Sequence, residues 1–351
     1  MDTEFFRHGA LGVVRLNRPQ VLNALGPEQF PVLHRQLAEW AADEGIGAVM
    51  VEGAGDRAFC AGGDIRAVWD GRARGDHAGN RALFRAEYTL DRFIHRYPKP
   101  YVALLDGIVM GGGAGISVNG AFQVTTERTL FAMPETAIGF FPDVGGTHFL
   151  NRCPGRIGLY LALTGTRLQA SDMLWAGLAS HHVPSIKLTE LMAELAIAAK
   201  AGDPWGAVRE CLHRCHQPPP PAQLPADAAE IDACFAADDA AAILETVAAQ
   251  HAPWARAARE RLSQASPTSL AVTCRQITGG RGLSFEQVMI REYRMASAFL
   301  MGQDFYEGIR AAVVDKDWRP RWSPGTIAQV DADVVDRHFA PVADDLYFGD
   351  E

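Results

Sequence analysis

The stretch "PYVALLDGIVMGGGAGISVNG" (residues 100–120) decides how the chain is read. Its first half is a short, nearly all-apolar run rich in branched side chains, as in a strand buried on both faces. Three glycines follow, and then a helix-like segment begins at once. A strand running through glycines into a helix exposes backbone N–H groups at the helix start, with the positive end of the dipole outward. A phosphate loop would end in Gly-Lys-Ser/Thr, which is missing here. A dinucleotide site would need an acid about twenty residues on, at the end of a second strand, and that is missing too.

Upstream, "LGVVRLN" (11–17) and "GAVMVEG" (47–53) read as strands, and "PEQFPVLHRQLAEWAAD" (27–43) and "NRALFRAEYTLDRFIHRY" (80–97) read as helices. Downstream, "FQVTT" and "TLFAMP" read as two further short strands. This alternation predicts an α/β core with parallel strands. After about residue 145 strands nearly vanish. Helical segments dominate, interrupted by the stiff connector "HQPPPPAQLP" (216–225). The expected division is an α/β core over residues 1–185 and a helical region over 186–351.

Composition narrows the partners. The 351 residues are 48% hydrophobic and 21% charged, with a net charge of −9. That charge argues against binding nucleic acid non-specifically. No apolar run reaches membrane-spanning length, and the N-terminus lacks the features of a signal or transit peptide, so a cytoplasmic protein without membrane contact is expected. The six cysteines are scattered, which favours free thiols. "CLHRCH" (211–216) offers Cys211, His213, Cys215 and His216 to a metal, but it reads as a helix end entering the connector, and no metal site is expected. His181, His182, Cys60 and Trp175 read as packing residues.

A second glycine-rich turn, "GAGDRAFCAGGDI" (53–65), can also present backbone N–H groups, with Asp64 near a helix start. Two such turns, each offering one N–H, suit a carbonyl oxygen that gains negative charge. The third stretch of interest is "MPETAIGFFPDVGG" (133–146), which sets Glu135 and Asp143 among Met133, Ile138, Phe140 and Phe141. Buried carboxylates are costly to desolvate and need a partner or a task. From the residues alone, helix capping or pairing with Arg152 or Arg156 stays open.

Together these segments resemble the crotonase (enoyl-CoA hydratase/isomerase) superfamily. The resemblance begins at "LNRPQVLNAL" (16–25) and runs through "AFCAGGDI", "KPYVALLDGIVMGGGAG", "FAMPETAIGFFPDVGGT" and "LYLALTGTRL". "SPTSLAVTCRQI" and "FLMGQDFYEGIRAAVVDKDWRPRW" are similar to its 3-hydroxyisobutyryl-CoA hydrolase branch. The resemblance implies the ClpP/crotonase spiral of β-β-α units with a helical C-terminal region. It implies an acyl-CoA thioester substrate and hydrolysis as a step of valine catabolism. Coenzyme A would be part of the substrate, so no separate cofactor is expected; a homo-oligomer is left open.

Residue by residue, the resemblance gives Gly63 and Gly112 the oxyanion and makes Glu135 and Asp143 catalytic. It places Glu87, Ala61, Asp64 and Ile65 at the substrate. By the resemblance, hydratases carry one glutamate where this chain has Gly115 and a second where it has Glu135, and the loss of the first argues against double-bond hydration. For Glu87 a solvated position on a charged helix is the competing reading.

Overall fold

A computed structural model describes residues 2–349. Its contacts divide the chain into two compact units that interleave along the sequence. The first takes the chain through Gly63, then Thr89–Phe131 and Arg167–Gln223; the second takes Asp64–Tyr88, Ala132–Thr166 and the chain from Leu224 on.

The first unit holds a six-stranded sheet. In chain order the strands are β1 (Thr3–His8), β2 (Leu11–Leu16), β3 (Ala48–Gly53), β4 (Ala58–Cys60), β5 (Tyr101–Leu105), β6 (Ile108–Met110), β7 (Phe122–Thr125), β8 (Leu130–Ala132), β9 (Leu168–Gln169) and β10 (His181–His182). The large sheet runs β1-β2-β3-β5-β7-β10, and a second, four-stranded sheet runs β4-β6-β8-β9. Only the β1–β2 pair of the large sheet is antiparallel; β2, β3, β5, β7 and β10 run parallel.

Alternate residues of four strands explain why this sheet stays together. Leu11 and Val13, Ala48 and Met50, Val102 and Leu104, and Phe122 and Val124 share one core. Helices Leu188–Ala198 and Pro204–Cys215 close that core with Leu191, Leu195, Val208 and Leu212. Gly12 is required for close approach on its strand, because a Cβ there would fall 2.7 Å from the Trp40 ring. Trp40 belongs to α1 (Gln29–Ala42).

The expected strands and helices of the core are present within a few residues of their predicted bounds. β1, β6 and the two-residue strands β9 and β10 are not anticipated; the run read as one strand before the glycines breaks at Asp106–Gly107 into β5 and β6, which belong to different sheets. After Lys187 the described residues form helices and loops and no strand. α2 (Ile65–Ala73) opens the second unit. α3 (His77–His95) follows and crosses from the second unit to the first after Tyr88. The first unit's α4 (Gly112–Val118) is the helix that the three glycines introduce.

Candidate active site

The first unit carries the two glycine turns. "RPQVLNA" (18–24) bends sharply, with Leu22 and Asn23 both left-handed at φ 55° and 56°. The buried Asn23 side chain makes that bend affordable. It accepts from Arg18 N–H at 3.0 Å and donates to the carbonyls of Ala54 and Ala58 at 3.0 and 2.8 Å. The bend then receives the second turn, since Ala61 N–H donates to Leu22 C=O at 3.0 Å and Leu25 N–H to Gly62 C=O at 2.9 Å.

Gly62 sits at φ +113°, and a Cβ there would lie 3.1 Å from the Met110 carbonyl and 3.5 Å from Gly112 N. The two turns therefore touch. Gly111, at φ +48°, delivers the chain into α4 so that Gly112 is its first residue. Among the described residues neither the Gly63 nor the Gly112 N–H donates a hydrogen bond. Gly113 lies so close to Cys60 that a Cβ would fall 2.3 Å from its carbonyl. Cys60 is buried in that turn, its sulfur accepting from Gly62 N–H at 3.5 Å, as a packing residue would be. Asp64 stands at the N-cap of α2 without a capping bond from its side chain, and Ile65 is the first residue of that helix.

The second unit carries the acids. Glu135 opens a 3-10 turn, Glu135–Ile138, whose backbone is backed by the helix Asp304–Ile309. The approach leaves room for glycine only. A Cβ on Gly139 would fall 2.3 Å from the Asp304 carbonyl, and one on Gly308 would fall 2.1 Å from the Ile138 carbonyl. Ser266 N–H donates to Thr136 C=O at 3.0 Å, and Ser266 Oγ–H to Asp304 Oδ2 at 2.6 Å. The C-terminal helices thus fix the turn that carries Glu135.

Glu87, Glu135 and Asp143 are all buried, and Glu292, on the helix Phe285–Met301, is fully so. Among the described residues none of the four forms a salt bridge. Asp143 accepts from the Tyr88 hydroxyl at 2.8 Å. Glu292 accepts from Gly145 N–H at 2.8 Å and Thr147 N–H at 2.9 Å. Glu135 Oε2 is buried with no hydrogen-bond partner among the described residues. An unsatisfied buried oxygen costs about 1–3 kcal/mol, so its retention points to a task rather than to stability.

Burial raises the proton affinity of all these groups, and repulsion between carboxylates adds to it at Glu87, Glu135 and Asp143. Loss of solvent comes first for Glu135, followed by repulsion from Asp143. The same two causes raise Glu87. Asp143 is pushed up to about 8, chiefly by burial, with the Tyr88 hydrogen bond pulling the other way. Glu292 is pushed up to about 7 by burial, against the N–H groups it accepts. Asp143, at about 8, can take and return a proton near neutrality. Phe84, Phe140, Phe141, Phe299 and Phe305 pack in the same unit, with Phe140 and Phe305 stacked at 4.3 Å, which accounts for the low polarity.

The arginine pairing left open for Glu135 and Asp143 is not formed among the described residues. Arg156 is engaged with Asp238 at 3.2 Å and the Ala236 carbonyl at 2.7 Å, away from Glu135 and Asp143. Glu87 is buried rather than solvated. Cys211 and Cys215 do come together, but with Glu194, whose Oε2 also binds Arg214 at 2.8 Å. His216 Nδ1 accepts from His182 N–H instead.

Two residues of the acid cluster escaped the sequence reading. Tyr88 is simply the neighbour of Glu87. Glu292 had a readable signal: it sits three residues after Met289 and four before Ala296, on a helix face whose other members are buried apolar side chains.

The sequence profile of the enoyl-CoA hydratase/isomerase family matches residues 11–339. The chain belongs to that family. The 3-hydroxyisobutyryl-CoA hydrolase, mitochondrial, of Xenopus tropicalis is 45% identical, over 94% of this chain and 86% of that protein. Its Homo sapiens namesake is 39% identical, over 97% of this chain and 89% of that protein. Among solved structures, a carnitinyl-CoA dehydratase from Mycobacterium thermoresistibile superposes with a TM-score of 0.92 at 38% identity, covering 100% of this chain and 99% of that one. An enoyl-CoA hydratase from Rhodobacter sphaeroides also reaches 0.92, at 35% identity, covering 99% of this chain and 100% of that one. The fold is that of the crotonase family.

Proposed function

We propose that this protein is an enzyme that hydrolyses an acyl-CoA thioester, 3-hydroxyisobutyryl-CoA being the substrate favoured. The observation that carries the reading is the pattern of acids. Gly115 stands where a hydratase has its first glutamate, while Glu135 and Asp143 are both present, buried and without a cation. The names of the curated relatives support the same reaction.

In this reading the thioester carbonyl takes the N–H groups of Gly63 and Gly112. Each such donor is worth roughly 3–4 kcal/mol as charge grows on the oxygen. Water oxygen adds to the carbonyl carbon, the C–S bond breaks, and coenzyme A leaves as the thiol. Glu135 takes the proton of the attacking water and passes it to the leaving sulfur, or itself attacks the carbonyl and expels the thiolate, giving a mixed anhydride that water then opens to the acid, with the water's proton going to the thiolate. Its raised proton affinity makes it a stronger base than an exposed glutamate. Asp143 takes the hydrogen bond of the substrate's β-hydroxyl. Glu87 lines the acyl end, and Ala61, Asp64 and Ile65 with the "RPQVLNA" bend take the adenosine end. The chemistry requires no metal or redox cofactor.

A hydratase reading has its own support, in the names of the two solved structures. Purified protein with a panel of acyl-CoA esters separates the two: thiol release from 3-hydroxyisobutyryl-CoA is expected, with little change in enoyl absorbance with crotonyl-CoA. Rapid hydration with negligible thiol release would overturn the reading. No helix of the described residues is long and apolar enough to cross a membrane. A cytoplasmic location, against the mitochondrial one in the relatives' names, is tested by fractionation, and assembly into a homo-oligomer by light scattering.

A further inference from the structure

Asp143 does not reach its position through ordinary backbone. Gly146 N–H donates to the Asp143 carbonyl at 2.7 Å, closing a tight turn whose two central residues, Val144 and Gly145, are left-handed at φ 53° and 87°. Those signs are the ones of a type I′ turn, which favours Asn or Gly at its first central place. A β-branched residue there is a genuine outlier and persists only where the surroundings over-determine it.

The surroundings do so through one carboxylate. Glu292 spans the turn, Oε2 on Gly145 N–H and Oε1 on Thr147 N–H. The Gln276 amide holds the preceding residue, donating to the Pro142 carbonyl at 2.7 Å and to Thr147 Oγ1 at 2.9 Å. Tyr88 meets the carboxyl that this turn presents. Full burial of an acid to make two backbone bonds is expensive unless the conformation they enforce matters.

We propose that Glu292 is a positioning residue: it holds the Asp143–Gly146 turn left-handed and so aims the Asp143 carboxyl at the substrate hydroxyl. The proposal rests on the hydrolase reading for the identity of that hydroxyl, but the geometry it explains does not. Glu292 touches no reacting atom; it acts through the turn.

The test compares 3-hydroxyisobutyryl-CoA with isobutyryl-CoA. Glu292→Gln offers one acceptor and one amide donor where two N–H groups need acceptors, so the turn loosens. The preference in kcat/KM for the hydroxylated ester should fall about tenfold or more, while the plain ester slows by no more than about threefold. A merely structural residue would slow both esters equally or lower Tm alone, and either result overturns the proposal.

Val144→Gly supplies the second arm. Glycine takes the left-handed position without strain. In that background Glu292→Gln should fold and keep most of the preference. If the double variant loses as much as Glu292→Gln alone, or fails to fold, Glu292 serves the fold rather than the turn and the proposal is wrong.

Should wild type release no thiol from either ester, the hydrolase reading fails and the turn is tested by the crystal structure of Glu292→Gln. Val144 should leave the left-handed region and the Asp143 carboxyl should move away from the Tyr88 hydroxyl. An unchanged turn would overturn the proposal there.

Discussion

Two clusters of acids in the same unit have opposite designs. Around Arg310, Glu307 is held at 2.9 Å, Asp315 at 2.6 Å and Asp317 at 2.7 Å. The guanidinium pulls Glu307 and Asp317 below the ordinary carboxylate range. Around Asp143 the acids Glu87, Glu135 and Glu292 gather with no ion-pair partner among the described residues, and each is raised. An acid kept for structure comes with its counter-charge. Glu292 offsets its burial with the N–H groups of Gly145 and Thr147, whereas Glu135 keeps an oxygen with no hydrogen-bond partner among the described residues, the arrangement expected of an acid that meets a ligand or takes part in a reaction.

The hardest test of that contrast is Glu135. Glu135→Gln should lower kcat for 3-hydroxyisobutyryl-CoA by about 10²–10⁴-fold with KM within about threefold. Its Tm should not fall, because a buried acid with an unpartnered oxygen has been replaced by a neutral isostere. Steady-state thiol release together with a melting curve checks both. Activity near wild type would make Glu135 a structural acid and dissolve the contrast.

Next in size is Asp143. Asp143→Ala should erase most of the preference for the hydroxylated ester, by about 10–100-fold in the ratio of kcat/KM values, because a polar site discriminates strongly against a partner lacking the hydroxyl. Equal slowing of both esters would assign Asp143 to water or proton transfer instead.

How much of this was legible beforehand follows from distance along the chain. The glycine turns, the buried strands and the acids of "PET" and "PDVGG" are local patterns, and periodicity or composition exposes them. The support of Asp143 is not local. Its hydroxyl partner lies 55 residues back, and Glu292 reaches Gly145 from 147 residues on. No periodicity reports a pairing at that range. Val144 looked like an ordinary apolar residue, and its left-handed backbone is visible only in three dimensions. The C-terminal helices could be read as helices, but not that Gly308 and Asp304 press on the turn bearing Glu135. β9 and β10 are two residues each, too short to show an alternation.

The two clusters should also give stability opposite slopes with pH. Asp143 and Glu292 have folded values of about 8 and about 7, above those of the unfolded chain. Between about pH 4 and 8 the folded state therefore binds more protons than the unfolded one, and stability falls as pH rises through that window. Glu307 is depressed, so its contribution is present above its unfolded value and is lost as pH falls through the folded one. Melting curves from about pH 2 to 9 should show Asp143→Asn flattening the alkaline loss, with Tm at pH 8 above wild type by a few degrees (about 2–5 °C). Glu307→Gln should flatten the acid side. An Asp143→Asn variant that melts below wild type at pH 8 would mean that the carboxyl is stabilising after all.

The smallest effect is expected from Asp315→Asn. Its carboxylate is one of three around a single guanidinium and its side chain is half exposed. Arg310 keeps both oxygens of Glu307, through Nε and Nη2, and the Asp317 carboxylate on the same nitrogen that Asp315 shared. Exposed ion pairs add little because the ions are already well solvated apart and salt screens what remains. Tm should drop by no more than about 2 °C, and the difference should vanish in concentrated salt. Turnover should stay at the wild-type value, since nothing in this network reaches the reacting atoms. A loss of activity here, with Glu135 and Asp143 intact, would mean that the paired and unpaired acids of this unit are coupled, and the contrast drawn between them would have to be replaced by a single electrostatic network.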